Sequence, residues 1–259
     1  MLVFQIGSTT LGKLYLLRFE HTGNVQDAEH AISDSQRAVE STPLGDANLS
    51  YFFNNLGNSY FLHFEYTWIL QNIEYAISYY QRALDSTPSG HADLPTHFSS
   101  FGSSYSLHFE HTRDLQDIDN AISYHQRAIE LSPLLCCLTN LGRSYFLDFQ
   151  YTRNPEDIKH ALSHHQRAVE TTSSGNAELP FYLNHLGNAY LTYFKHTRNV
   201  QYIKHAISNL QRAMDLTHSG HLYHPIIIGR LGDSYFYHFE HTGNLQDLDC
   251  AISHYQSTL

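Results

Sequence analysis

The chain has 259 residues, a net charge of −10 with histidine neutral, 14% aromatic residues and three cysteines. An acidic chain gains nothing from a polyanion, because counterion release needs clustered Lys and Arg, so nucleic acid is excluded as an expected partner. Adjacent Cys136 and Cys137 plus Cys250 make neither a disulfide framework nor a Cys-x-x-Cys site, which fits a reducing, cytoplasmic compartment. No apolar run approaches membrane-spanning length, and apolar Met1–Gly7 lacks the basic lead of a signal peptide, so no membrane partner is expected.

One pattern recurs from end to end. Leu11-Gly12, Leu56-Gly57, Phe101-Gly102, Leu141-Gly142, Leu186-Gly187 and Leu231-Gly232 open six copies, at spacings of 45, 45, 40, 45 and 45 residues. Each Gly is followed three residues later by Tyr, from Tyr15 to Tyr235. A fixed period in this range means stacked supersecondary units rather than one globular core. The copies begin near residues 1, 50, 95, 135, 180 and 225, so residues 1–259 form one repeat domain whose last copy is cut short.

Each copy predicts two helices. In the first, Phe53, Leu56, Gly57, Tyr60 and Phe64 keep one apolar stripe at steps of three and four. A helix-interior Gly costs about 1 kcal/mol against Ala, so its recurrence predicts close approach of the partner helix. A polar turn such as Glu240-His241-Thr242-Gly243-Asn244 follows. Asn24, Asp114, Asn154, Asn199 and Asn244 are expected to cap the second helix, with Pro155 at its first position in copy four. Ile118, Ala121, Ile122, His125, Ala128 and Ile129 form its buried face in copy three. That helix stops near Pro43, Pro88 or Pro133. Pro95, Pro180 and Pro225 then enter the next pair. Copy three lacks five residues of the intervening loop, which predicts a tight junction at Leu134–Leu138.

The run Phe53-x2-Leu56-Gly57-x2-Tyr60, Ala76-x3-Tyr80, Ala83 and Pro88 resembles the tetratricopeptide repeat, whose pattern is W-x2-L-G-x2-Y, A-x3-F, P. The resemblance covers nearly the whole chain. It implies an all-α, right-handed α-solenoid of about six helix-turn-helix repeats. The copies exceed that family's 34-residue period, which suggests one extra turn on each helix. The long repeat with Asn54-Asn55-Leu56-Gly57-Asn58 is similar to the kinesin-light-chain type, and more so to fungal arrays found beside CHAT protease-like or NACHT nucleotide-binding domains. The sequence holds no Gly-x4-Gly-Lys-Ser/Thr phosphate loop and no Cys in a recognisable nucleophile context.

Solenoids usually carry polar capping helices. None is evident here, so Phe4 and Ile6 at one end and Ile252 and Tyr255 at the other are expected to leave apolar surface open to head-to-tail self-association. His160 and His164, four apart on one helix, have the spacing of a metal pair but lack a third ligand. The other histidines recur at repeat phase and do not converge, so no metal or other cofactor is expected. Trp68-Ile69 interrupts one polar turn, either as an exposed contact patch or folded onto its own helix pair. Each Gln-Arg-Ala arginine is expected to offset its helix's C-terminal dipole.

These features favour a non-catalytic protein-interaction scaffold that holds an extended peptide or partner protein. The sensor or oligomerisation arm of a larger CHAT- or NACHT-type protein is an alternative, and a metal-dependent enzyme ranks last. The resemblance implies that first helices line the concave side. The expected groove residues are then Asn54, Asn55, Asn58, Ser99, Ser100 and Ser103, followed by Thr139, Asn140, Arg143, Asn184, His185, Asn188, Arg230 and Asp233. Asn both donates and accepts, so it can pair with any peptide backbone. The alternative role for these amides is hydrogen bonding to neighbouring helices.

Overall fold

The structure is a computed structural model that describes residues 2–257, with the side chains of residues 2–6, 8 and 9 left out of the description. The expected Phe4 and Ile6 surface therefore lies outside the described residues. Twelve helices and no strands are present among the described residues: α1 (Leu2–Thr22), α2 (Val25–Glu40), α3 (Leu49–Thr67), α4 (Leu70–Asp85), α5 (Leu94–Thr112), α6 (Leu115–Leu131), α7 (Leu135–Thr152), α8 (Pro155–Thr171), α9 (Leu179–Thr197), α10 (Val200–Asp215), α11 (His224–Thr242) and α12 (Leu245–Gln256). They form two compact units, Met1–Cys137 and Leu138–Leu259. In the first, α1 pairs with α2, α3 with α4 and α5 with α6, while α2 and α4 each pack on the next first helix. In the second, α9/α10 and α11/α12 pair, and α8 and α10 pack on α9 and α11. First helices also touch one another, α1 on α3, α3 on α5 and α9 on α11.

A threonine closes every first helix. Thr22, Thr67, Thr112, Thr152, Thr197 and Thr242 each donate from Oγ1 to the carbonyl four residues back. Each hydroxyl also accepts from the backbone N–H two residues on. One hydroxyl thus ties the last turn of each first helix to an N–H left over at the start of the next. The expected caps Asn24, Asp114, Asn154, Asn199 and Asn244 all accept from the N–H two residues on. In copy two the cap is Ile69, with no side-chain bond. The residue between Thr and cap is left-handed: Gly23, Trp68, Arg113, Arg153, Arg198 and Gly243. Trp68 takes this position at φ 56°, more than half exposed, with its ring 5.6 Å from Phe64 and 6.4 Å from His111 of the next pair.

The recurrent Gly admits a side chain of its partner helix. A Cβ on Gly57 would lie 2.7 Å from Tyr80, on Gly102 2.7 Å from His125, on Gly142 2.7 Å from His165 and on Gly187 2.6 Å from Leu210. All four intruding side chains are buried. The recurrent Tyr lies against two rings of the second helix in three copies, Tyr190 meeting Tyr202 and His205 in copy five. Tyr60 meets Tyr75 and Tyr79, and Tyr145 meets His160 at 4.8 Å and His164 at 6.0 Å. The pair His160 and His164 therefore shares a tyrosine. The His phase of the first-helix ends also has a packing role: His111, His196 and His241 stand edge-on to Phe64, Phe149 and Phe194 of the preceding copy. Such ring pairs contribute about 0.5–1.5 kcal/mol beyond area burial.

The Gln-Arg-Ala arginines do more than offset a dipole. Arg82 and Arg127 lie over Phe53 and Phe98 at 4.1 and 4.3 Å, covering the position that the repeat pattern gives to Trp. The tight junction is present: α6 and α7 are joined by Ser132–Leu134, whereas eight residues join α2 to α3 and α4 to α5.

Candidate functional site

The expected groove residues fall on the first helices, and the face those helices present is built separately in each unit. In the first unit Asn54 and Asn55 are buried, and Asn54 Oδ1 and Asn55 Nδ2 have no hydrogen-bond partner. Asn58 is half-buried and accepts from the Tyr80 hydroxyl at 2.8 Å. Ser99 is buried and Ser100 and Ser103 are half-buried. His125 Nε2 sits 3.2 Å from the Ser99 carbonyl and 3.4 Å from Ser103 Oγ.

In the second unit Thr139 and Asn184 are buried, Asn140, His185, Asn188, Arg230 and Asp233 are half-buried, and Arg143 is exposed. Arg230 Nη1 donates to Asn184 Oδ1 at 2.8 Å, and Asp233 Oδ1 accepts from the Tyr255 hydroxyl at 2.6 Å. His185 lies 4.5 Å from the Phe181 ring and 5.4 Å from the His165 ring. Burial, and then the nearby Arg230 and Arg143 guanidiniums, push His185 down to about 4, so this face presents neutral imidazole beside cations at neutral pH. The structure thus brings Asn184, His185 and Arg230 together, while Asn58 and Asp233 each spend an oxygen on the second helix of their own pair.

Between α1 and α3 the same face holds a groove of about 390 Å³. It is lined by apolar Leu16, Leu17, Phe61 and Leu62 and by polar Lys13, Glu20 and Asn58. Polar phasing alone does not reveal this groove. The signal was the apolar pair four and five residues after Gly12 and Gly57.

A second kind of cleft was not anticipated. One of about 480 Å³ in the first unit is lined by Leu84, Leu94, Phe98, Tyr124 and Arg127. One of about 520 Å³ in the second unit is lined by Met214, His224, Ile228, His254 and Ser257 at the matching repeat positions. Both sit under the long loop between helix pairs, so the extra loop residues were the available signal. Among the described residues no group of three or more His, Cys, Asp or Glu is placed to hold a metal ion. No helix among them is long and apolar enough to cross a membrane.

The sequence matches no protein-family model and no curated protein. Solved structures do resemble the fold. BtubC from P. vanneervenii aligns with a TM-score of 0.60 at 15% identity, over 90% of this chain and 89% of that one. YrrB, described as a TPR protein with an unusual peptide-binding site, aligns with a TM-score of 0.53 at 18% identity, over 85% of this chain and 91% of that one. A Podosopora anserina putative kinesin light chain with nearly identical TPR-like repeats aligns with a TM-score of 0.53 at 13% identity, over 80% and 93%. With its paired helices, its Leu-Gly-x2-Tyr and Ala-x3 contacts and these neighbours, the chain has the fold of the tetratricopeptide-repeat proteins.

Proposed function

We propose that this chain is a non-catalytic interaction scaffold that takes an extended peptide segment of a partner protein along the face of its first helices. The observation that carries this is the groove between α1 and α3, whose lining combines Leu16, Leu17, Phe61 and Leu62 with Lys13, Glu20 and Asn58. Pockets that bind ligands combine an apolar lining with a few placed polar groups. Asn140 and Asn188 are half-buried on first helices of the second unit, where Arg230 and Arg143 lie near His185. The neighbour YrrB is described as having a peptide-binding site.

The test is selection of unstructured peptides from a displayed library against the folded chain, followed by binding to Leu17→Asp. Leu17 is 53% exposed, so the substitution charges the groove without entering the core. Enriched peptides should bind the variant at least tenfold more weakly. No enrichment, or enriched peptides that bind both proteins equally, would overturn the proposal.

A further inference from the structure

Two exposed repeat positions beside the turn between paired helices change sign along the chain. Eight residues after the recurrent Gly stand Glu20, Glu65, Glu110, Gln150, Lys195 and Glu240. Seventeen residues after it stand Glu29, Glu74, Asp119, Lys159, Lys204 and Asp249. All are exposed except half-buried Glu110. The left-handed position between Thr and cap is cationic in copies three, four and five, with Arg113 at φ 63°, Arg153 at φ 62° and Arg198 at φ 58°, where copies one and six have Gly. A left-handed L-residue is strained relative to Gly, and such strain concentrates where the side chain has a task.

The second unit therefore carries a cationic edge made of Arg153, Lys159, Lys195, Arg198 and Lys204. Arg153 and Arg198 hold their guanidiniums 5.9 Å from the rings of Phe149 and Phe194, and Lys195 lies 4.3 Å from the Tyr237 ring. Glu156 bonds Lys159 at 2.7 Å, and Asp157 is buried beneath. Behind Lys159, copy five replaces the His–Asp pair of copies three and six with Tyr193 against Tyr202, their rings 4.4 Å apart. That replacement removes a carboxylate from the edge.

We infer that this edge docks on the acidic edge of the first unit of a second copy of the chain. The complement is present in the same molecule: Glu20 with Glu29, Glu65 with Glu74, and Glu110 with Asp119 form three acidic rungs one repeat apart, with Arg113 the one left-handed cation beside the third. The cationic rungs, Arg153 with Lys159 and then Lys195 with Arg198 and Lys204, repeat at the same 45-residue step. Two ladders of opposite sign and common pitch satisfy each other in register. Association through such exposed charges is steered by electrostatics and weakened by salt.

Sedimentation velocity of the full chain, in low and in high salt, tests the inference. A dimer is expected in low salt that dissociates as salt rises. Lys195→Glu with Lys204→Glu should sediment as a monomer, as should Glu65→Lys with Glu74→Lys, and mixing the two variants should restore the dimer. Arg198→Gly should weaken association several-fold while leaving the melting temperature equal or higher, because Gly relieves the backbone. A wild-type monomer in low salt, a dimer indifferent to the charge reversals, or a mixture that stays monomeric would each overturn it. Retained melting transitions in the variants distinguish lost association from lost folding.

Discussion

The Tyr80 hydroxyl reaches across its helix pair and donates to Asn58 Oδ1 at 2.8 Å, so a residue on the proposed peptide face is also part of the internal frame. Tyr80 is 2% exposed, and burial holds its phenol far above the usual range, so it stays a donor at every physiological pH. Asn58→Ala should therefore cost stability as well as binding. A buried phenol left without its acceptor loses about 1–3 kcal/mol. Tyr80→Phe removes donor and demand together and should cost about 1 kcal/mol. It should leave peptide capture intact, because the Asn58 amide still lines the groove. Denaturant unfolding of both variants, together with binding of the selected peptides, separates the two roles. Equal loss of binding in both would mean that Asn58 acts only through Tyr80.

The recurrent glycines should differ in tolerance. A Cβ on Gly57 would stand 2.7 Å from the ring of fully buried Tyr80, which has nowhere to retreat. Overpacking of that kind costs about 1–3 kcal/mol, against about 1 kcal/mol regained from helix propensity. Gly232 faces Tyr255 at 3.1 Å, and that ring is 39% exposed near the end of α12. Gly57→Ala is expected to lower the unfolding free energy, and Gly232→Ala to leave it unchanged or raise it by up to about 1 kcal/mol. Equal effects in chemical denaturation would show that ring mobility does not decide tolerance.

Arg113 occupies the left-handed position at φ 63°, with its guanidinium 6.0 Å from the Phe109 ring. Left-handed backbone costs an L-residue about 1 kcal/mol or more, and an exposed cation–π contact returns about 0.5–1 kcal/mol. Arg113→Gly should be neutral to slightly stabilising, and Arg113→Val, β-branched and poorly suited to positive φ, clearly destabilising. Thermal melting of the two variants orders them. Val melting at or above Gly would contradict the strain account.

The repeat, its helix phasing and its caps were legible because each rests on local chemistry: Asn24 and Asn244 accept from the N–H two residues on, whatever packs nearby. Close packing at Gly57 was legible too, though the intruder is a side chain, Tyr80, and not the backbone of the partner helix. The roles of individual face residues were less so. Asn54, Asn55 and Asn58 are chemically identical. Yet Asn54 and Asn55 are buried while Asn58 is half-buried and lines the groove, although Asn54 and Asn58, four residues apart, share one helix face: helix phase alone does not decide which turn a neighbour covers. Arg82 over Phe53 was hidden for a related reason: the two residues lie on different helices and meet only once the pair has formed.

Stability should fall on mild acidification, and three desolvated histidines of the second unit, His185 on α9 with His164 and His165 on α8, set the window. His185 is pushed down to about 4 by burial and by Arg230 and Arg143. His164 is likewise pushed to about 4, by burial and then Arg167, and His165, fully enclosed, is held well below the ordinary value. Above pH 6.5 these imidazoles are neutral in folded and unfolded chains alike, so they contribute no pH dependence there. Below it the unfolded chain takes up protons that the folded chain refuses, and folding stability declines as pH falls from about 6.5 towards 4. Each such group contributes a slope of at most about 1.4 kcal/mol per pH unit within that window, less for partly exposed His164. His185→Gln should flatten the decline between pH 6 and pH 4.5 in denaturant titrations, those pH values chosen to lie roughly inside the window. It should also change little at pH 7.5, a value roughly one unit above the unfolded histidine. A decline of unchanged steepness in the variant would show that His185 is protonated, and accommodated, in the folded chain.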